Sequence, residues 1–442
     1  MIQPTNLLAM TIIESLKHWN RWGGAPLKSG IPRNLTQSLL PFLSTPEIIA
    51  LIGPRRAGKT TILFQIMDAL EEKGILPEAM LHINLEEPAL SPELGIDLLE
   101  TAYQAYREAI HPQGKAYIFL DEIQNVPRWE QWVRARNESE EVKFFITGSS
   151  SQLMSRELGT VLTGRHLSFP VYPLNFEEYL RFKSIEIKAP LSQTSASSLI
   201  QNALNNYLKW GGFPEIVLAE EEIRKELLLK QYFDDILFKD VAMRHRIRDM
   251  FALRNIAVYL LTHSGSLISF QRLAKIFEVS MDLAQSYCHY LQEAYVIDLL
   301  PFYSRKAAER QRNPHKVYAV DLGLRNVVTL SATPDSGHIQ ETAVYHHLQQ
   351  QSQDGIFYWK GKQEVDFLVR QGLDIKKIIQ VVSSLDKNET LDRETQALKE
   401  ASQVFPATQC CLIANKISQQ LPRIPTVKMM PLWSVLLNKA EC

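Results

Sequence analysis

The chain has 442 residues, 22% of them charged, with 48 Lys and Arg against 49 Asp and Glu and a net charge of −1. That length accommodates about two to four domains, and the charge balance excludes a globally basic nucleic-acid binder, so any such footprint has to be a local patch. Cys288, Cys410, Cys411 and Cys442 show no C-x-x-C spacing and no apolar run reaches the roughly 18 residues of a membrane span, so a cytoplasmic protein with no zinc module and no membrane partner is expected.

The N-terminal stretch MIQPTNLLAMTIIESLKHW lacks a basic leader and is interrupted by Glu14; it reads as an amphipathic helix docked on the body, not a signal peptide. From about residue 45 to 170, apolar strands (47–52, 80–84, 116–121, 143–147, 166–171) alternate with helical stretches (63–72, 92–110). Such alternation predicts an α/β fold with a parallel sheet covered on both faces. Ligands in these sheets sit at the carboxyl ends of the strands, where Gly53, Glu86, Asp121 and Thr147 fall.

Residues 53–60 read GPRRAGKT and fit G-x-x-x-x-G-K-[ST] with Gly53, Gly58, Lys59 and Thr60 in place, between a strand and a helix as the motif requires. Pro54, Arg55, Arg56, Ala57 and Thr61 complete the cradle. Gly53 and Gly58 allow backbone angles that a side chain would obstruct, and the loop's N–H groups with the helix dipole attract phosphate. Lys59 supplies a point charge to the β- and γ-phosphates, and Thr60 offers its hydroxyl to magnesium. Residues 117–122, YIFLDE, add Asp121 for the magnesium shell and Glu122 as general base toward the attacking water. ATP and Mg2+ are therefore the expected cofactors. In residues 144–150, FFITGSS, Thr147 and Ser149 are candidates to touch the γ-phosphate or that water, or form a plain strand-to-helix cap.

The pattern turns helical from residue 175 to about 248, interrupted by KWGGFPEIV. Three helices (252–262, 270–277, 281–294) and two strands (295–303, 316–320) follow, a winged-helix pattern. Arg305, Lys306, Arg310, Arg312 and Lys316 crowd the loop between the strands. The third helix is poor in base-reading residues, with only Gln285, His289 and Gln292 suited. The basic loop Arg305 to Lys316 suits phosphate contact without sequence readout; packing against protein and a solvated charge run remain alternatives. A helix (341–351), three strands (356–359, 364–370, 378–382), a helix (389–402) and a strand (408–414) close the chain.

GPRRAGKT, FLDEIQ, ITGSSS, LTGRHLSFPVYPLNFEEYL and KWGGFPE together resemble a prokaryotic family of AAA-plus-like P-loop ATPases with a C-terminal domain of unknown function, over about residues 35 to 435. The resemblance implies an N-terminal helical segment (1–34), a P-loop ATPase core (35–174), a helical lid (175–249), a winged-helix domain (250–332) and a restriction-endonuclease-like α/β domain (333–442). It implies that Gly212, Phe213 and Pro214 lie near the adenine base and that Arg165 is an arginine finger or sensor, in cis or in trans. It places the nuclease positions of the last domain on Glu341, Asp366, Gln380 and Val382. Glu364 and Asp366, two apart, share a strand face, and with Glu341 they form a magnesium-binding set. Val382, where that fold carries a lysine, departs from the pattern and marks the site as degenerate unless Lys360 or Lys362 substitutes. The expected function is Mg-dependent ATP hydrolysis by a homo-oligomeric motor or switch, with DNA as a partner through the basic loop. The alternatives are a low-turnover switch that binds a protein partner and an ATP-regulated DNA nuclease.

Overall fold

The computed structural model describes residues 12–24, 27–88, 90, 94–149, 162, 164–186, 194–329, 336–351, 355–406, 408–418, 422 and 424–440. The chain divides into two compact units, Met1–Val171 and Tyr172–Cys442.

The first unit is built on five parallel strands in the order β2-β3-β4-β1-β5. They are β1 (Ile48–Ile52), β2 (Met80–Asn84), β3 (Ala116–Asp121), β4 (Val142–Gly148) and β5 (His166–Pro170). β1, β3 and β4 are buried along their whole length, which is why they read as unbroken apolar runs and not as alternating ones. Helices α1 (Asn34–Leu39), α2 (Lys59–Glu72), α3 (Ile96–Ala109) and α4 (Trp129–Ser139) cover the sheet. On one face α2 presses Ile62, Leu63 and Ile66 onto Ile49, Leu51, Phe119 and Phe145, with the Phe119 and Phe145 rings stacked at 4.8 Å. On the other face Trp132 meets Tyr103 and Phe144 edge-on at 5.7 and 5.9 Å.

Strand β2 lies at an edge of this sheet, and the N-terminal segment covers it. Residues 12–17 are helical; residues 1–11 of the helix expected there lie outside the described residues. Asn20, fully buried, donates through its side-chain amide to the His82 carbonyl at 2.8 Å and accepts from the His82 N–H at 2.6 Å. The Trp22 indole donates to the Met80 carbonyl at 3.1 Å. These two side chains thus take backbone partners a neighbouring strand would take and leave less of the edge open to pairing.

In the second unit, helices α5 (Phe176–Phe182), α6 (Thr194–Trp210) and α7 (Glu222–Asp235) lead through a π-helical stretch, Ile236–Met243, into α8 (Met250–Thr262), α9 (Phe270–Phe277) and α10 (Met281–Glu293). Phe213, Ile236, Leu253, Leu260, Leu291 and Leu324 belong to one apolar core, so the helices before residue 250 pack with those after it. A small antiparallel sheet, β6-β8-β7, joins β6 (Leu267–Ile268), β7 (Ile297–Leu300) and β8 (His315–Ala319). Between β7 and β8 stands α11 (Ala307–Arg312), and after β8 comes α12 (Leu322–Val328).

Two further helices, α13 (Ser336–Gln351) and α14 (Asn388–Val404), flank a second five-stranded sheet, β13-β12-β11-β10-β9. It comprises β9 (Ile356–Lys360), β10 (Glu364–Gln371), β11 (Asp374–Leu385), β12 (Gln409–Ile417) and β13 (Val427–Pro431), with α15 (Leu432–Leu436) after it. β9, β10 and β11 pair antiparallel, and β11, β12 and β13 parallel.

Several elements differ from the sequence reading: α1, α4, α11, α12, α15 and β6 are additional to it, and three others change in extent or are new. The strand expected over 295–303 ends at Leu300. Pro301 has no N–H for the ladder, and its carbonyl and the Tyr303 N–H instead pair with Tyr358 of β9 at 3.2 and 2.8 Å. β11 starts four residues early, from a hairpin turning at Gly372 with φ 62°, a left-handed angle suited to glycine. β13 was not expected, because VKMM shows no clean period-2 pattern.

Candidate active site

The phosphate-type loop joins β1 to α2. Gly58 has φ 95° and ψ 24° and precedes α2 without a side-chain cap, so the first N–H groups of the helix keep their capacity for an anion. Gly53 is held by close approach: a Cβ there would lie 2.0 Å from the Val171 carbonyl oxygen. Lys59, 4% exposed, donates to the Gly53 and Pro54 carbonyls at 3.1 Å each and pairs with Glu122 Oε1 at 3.1 Å. Its three N–H donors are turned onto the loop and the β3 terminus.

Asp121 ends β3 and is 2% exposed. Its Oδ2 accepts from the Thr60 hydroxyl at 2.6 Å, and its Oδ1 accepts from the Thr147 hydroxyl at the end of β4. The Thr147 oxygen in turn accepts from the Glu122 N–H at 2.8 Å. Burial, with the Glu122 charge beside it, pushes the Asp121 carboxyl up to about 6. Burial also acts to raise Glu122, but Lys59 and Arg55 outweigh it and hold that carboxyl below its ordinary value. Glu122 adopts φ 56°, a left-handed conformation rare for a non-glycine residue and concentrated at functional sites.

The loop, Thr60, Asp121, Glu122 and Thr147 thus converge at the carboxyl ends of β1, β3 and β4. Ser149 lies close by, buried, and its Oγ accepts from the Gln124 amide at 3.2 Å; residue 150 of the same motif lies outside the described residues. Arg55 pairs with Glu86, Arg56 is exposed with φ 64°, and Ala57 is buried. Thr61, half-buried, lies in the first turn of α2.

Arg165 is not brought to this site. It precedes β5, and its carbonyl accepts from the N–H of Ile48, the first residue of β1. β1 and β5 run parallel from Ile48↔His166 to Ile52↔Pro170, so Arg165 stands at the opposite end of the sheet from Gly53. Five residues of strand, roughly 16 Å, separate the two ends. Its guanidinium is 42% exposed and pairs with Glu138 of α4. Pro214 belongs to the second unit, where the Asp321 carboxylate accepts from the Gly212 N–H at 2.7 Å.

The sequence reading gives no role to three residues near the loop. Gln124 donates to Glu122 Oε2 and to Ser149. Arg33, 5% exposed, donates to the Ala57 carbonyl inside the loop at 2.6 Å. His82, fully buried, has its Nε2 4.0 Å from Asp121 Oδ2. Only Gln124, the last residue of the FLDEIQ motif, carries a sequence signal.

The second candidate set corrects the reading of the basic loop. Lys316 is 2% exposed and meets carboxylates, not solvent or phosphate. Its Nζ lies 2.7 Å from Glu341 Oε1, 2.9 Å from Glu364 Oε1 and 2.9 Å from Asp366 Oδ1. The other Asp366 oxygen accepts from the Val381 N–H at 2.9 Å, and Gln380 accepts from the Asp366 N–H while donating to Glu394 at 2.9 Å. Tyr318 donates to Glu341 Oε1 at 2.6 Å. Burial and the Asp366 charge push the Glu341 carboxyl up to about 8; burial acts to lower Lys316, but the three carboxylates hold it well above its ordinary value. Val382 is buried and apolar, and Lys360 and Lys362 are exposed.

Comparison with known proteins agrees with this architecture. Residues 45–180 match a family described as "AAA domain", and residues 201–335 match a "Domain of unknown function (DUF8612)". The uncharacterized protein MJ1544 of Methanocaldococcus jannaschii is 34% identical over 380 residues, covering 84% of this chain and 81% of its own. An uncharacterized protein of Haemophilus influenzae is 28% identical over 360 residues, covering 80% of this chain and 87% of its own. Among solved structures, the Thermotoga maritima RuvB Holliday junction branch migration motor is 14% identical with a TM-score of 0.30, covering 64% of this chain and 95% of that one. With its loop, strand ends and shared length, this chain belongs to the family of AAA-plus-like P-loop ATPases in which a C-terminal domain of unknown function follows the ATPase core.

Proposed function

We propose that the protein binds ATP with Mg2+ and hydrolyses it as a homo-oligomeric switch or motor of the cytoplasm. The observation that carries this is the junction of Lys59, Thr60, Asp121, Glu122 and Thr147 at the carboxyl ends of three adjacent strands. Lys59 exchanges its carbonyl partners for β- and γ-phosphate oxygens. Thr60 and Asp121 would hold a magnesium ion, which would supply positive charge against the charge developing on the phosphates. Glu122, ionised beside Lys59, accepts the proton of the attacking water, and Thr147 fixes the backbone of that base. A partner copy's Arg165 supplies the remaining charge. The three helices and small sheet of 250–328 fit a winged helix; with Arg305, Lys306, Arg310 and Arg312 beside it, DNA is the proposed partner. Among the described residues no helix is long and apolar enough to cross a membrane.

A second reading, a low-turnover switch that binds a protein partner, draws on the Glu122–Lys59 pair, which engages the base before any water can attack. Glu122→Gln separates the two. In a hydrolysing enzyme it binds ATP normally and traps it, with turnover reduced roughly 10²- to 10⁴-fold. Unchanged turnover of that variant removes Glu122 from the reaction. Stimulation of wild-type turnover by DNA supports the motor reading, and its absence the protein-partner switch.

A further inference from the structure

The last sheet carries an acidic cluster that the ATP chemistry does not use. Glu341 on α13 meets Glu364 and Asp366 on β10, and between the three carboxylates stands the ammonium of Lys316, 2.7 to 2.9 Å from an oxygen of each. An ammonium has three N–H donors and no acceptor, so three carboxylates use its whole donor set. Its strand fixes it there: β8 is the middle strand of its sheet, and Lys316 pairs with Leu267 on one side and Leu300 on the other.

A cleft of about 500 Å³ opens over this cluster, with Glu341, Asp366, Gln380 and Glu394 on its wall and Lys387 and Arg393 beside them. Lys316 does not line it. With three carboxylates 2.7 to 2.9 Å from its nitrogen, the ammonium has no donor left to orient a water or touch a phosphate in the cleft. A divalent cation on the same oxygens would face a fixed like charge at close range, and like charges oppose each other strongly in a buried setting.

We propose that Lys316 is the resident cation of this cluster, standing in place of a divalent metal, so that this cleft neither binds Mg2+ or Mn2+ nor cleaves phosphodiesters. The ammonium instead ties β8 to α13 and β10. Replacing it with a neutral side chain leaves three converging carboxylates with a cleft beside them, which is a divalent-cation site. This proposal is independent of the ATPase reading, since none of these residues belongs to the nucleotide loop.

The test is a Mn2+ titration of the full-length, nucleotide-free protein, with bound metal read by electron paramagnetic resonance. Wild type and Asp366→Asn are expected to give superimposable curves. Lys316→Met gains a Mn2+ site at least roughly tenfold tighter than any in wild type, the size of shift a neighbouring charge produces. The double variant Lys316→Met/Asp366→Asn loses that site. Wild-type Mn2+ binding that Asp366→Asn removes overturns the proposal, as does a Lys316→Met protein of native circular dichroism that takes up no Mn2+. Plasmid cleavage by wild type that both Lys316→Met and Asp366→Asn abolish also overturns it, making Lys316 a catalytic lysine. Should Lys316→Met not fold, the comparison of wild type with Asp366→Asn decides by itself.

Discussion

At the scale of the residue, His82 shows what a motif search passes over. The Trp19 and Phe64 rings lie 6.0 and 5.3 Å from its imidazole, and neither ring nitrogen has a hydrogen-bond partner among the described residues. Burial pushes its pKa down to about 3, so the folded state holds it neutral while the unfolded state takes up a proton near pH 6.5. Between those values the unfolded state binds more protons, and stability rises with pH by about 1.4 kcal/mol per unit from this group. The contribution is full above pH 6.5 and is lost as pH falls toward 3. His82→Leu, which keeps the packing and removes the proton site, is expected to flatten the acid side of the stability curve by that slope, measured by urea unfolding from pH 7 to 4. An unchanged slope would mean that the imidazole reaches solvent or a partner. The meeting of Lys59, Thr60 and Asp121 was readable because each sits at a fixed place in a short motif at the end of a strand. His82 was not, since only tertiary folding sets it beside Asp121.

At the scale of the element, β1, β3 and β4 were legible as runs of apolar residues, and a strand buried on both faces has no other way to read. Elements defined by their partners were less so. The end of β7 depends on Pro301 and on a strand more than fifty residues downstream, and β13 depends on β12 being there to pair with. The edge of β2 is another case, since the Asn20 amide pairs with both backbone groups of His82 and the Trp22 indole with the Met80 carbonyl. Asn20→Ala leaves the His82 N–H and carbonyl without these partners in a buried place, at a cost of about 1–3 kcal/mol for each group left unsatisfied. The expected result is a lower thermal midpoint together with faster amide exchange at His82. Exchange at His82 equal to wild type would show that another group closes this edge.

At the scale of the whole molecule, the position of Arg165 bears on the proposed assembly. It sits across the sheet from its own loop, so any contact it makes with a γ-phosphate has to be with that of another copy. ATPase activity per chain is then expected to rise with protein concentration. Arg165→Ala is expected to abolish the rise and lower turnover of the concentrated protein by roughly 10³-fold or more, read by steady-state phosphate release. Turnover independent of both concentration and this substitution would exclude a finger in trans. By itself the sequence determined the phosphate-type loop, the acidic pair Asp121 and Glu122 at the end of an apolar strand and the parallel sheet beneath them, because each rests on local spacing or on strand composition. Only the tertiary structure decided that Arg165 lies far from its own loop and that Lys316, grouped with the basic loop at the start of its strand, fills an acidic cluster. Both outcomes turn on which strand ends and side chains meet in space, and a strand's own pattern says which face a residue takes but not what stands opposite it.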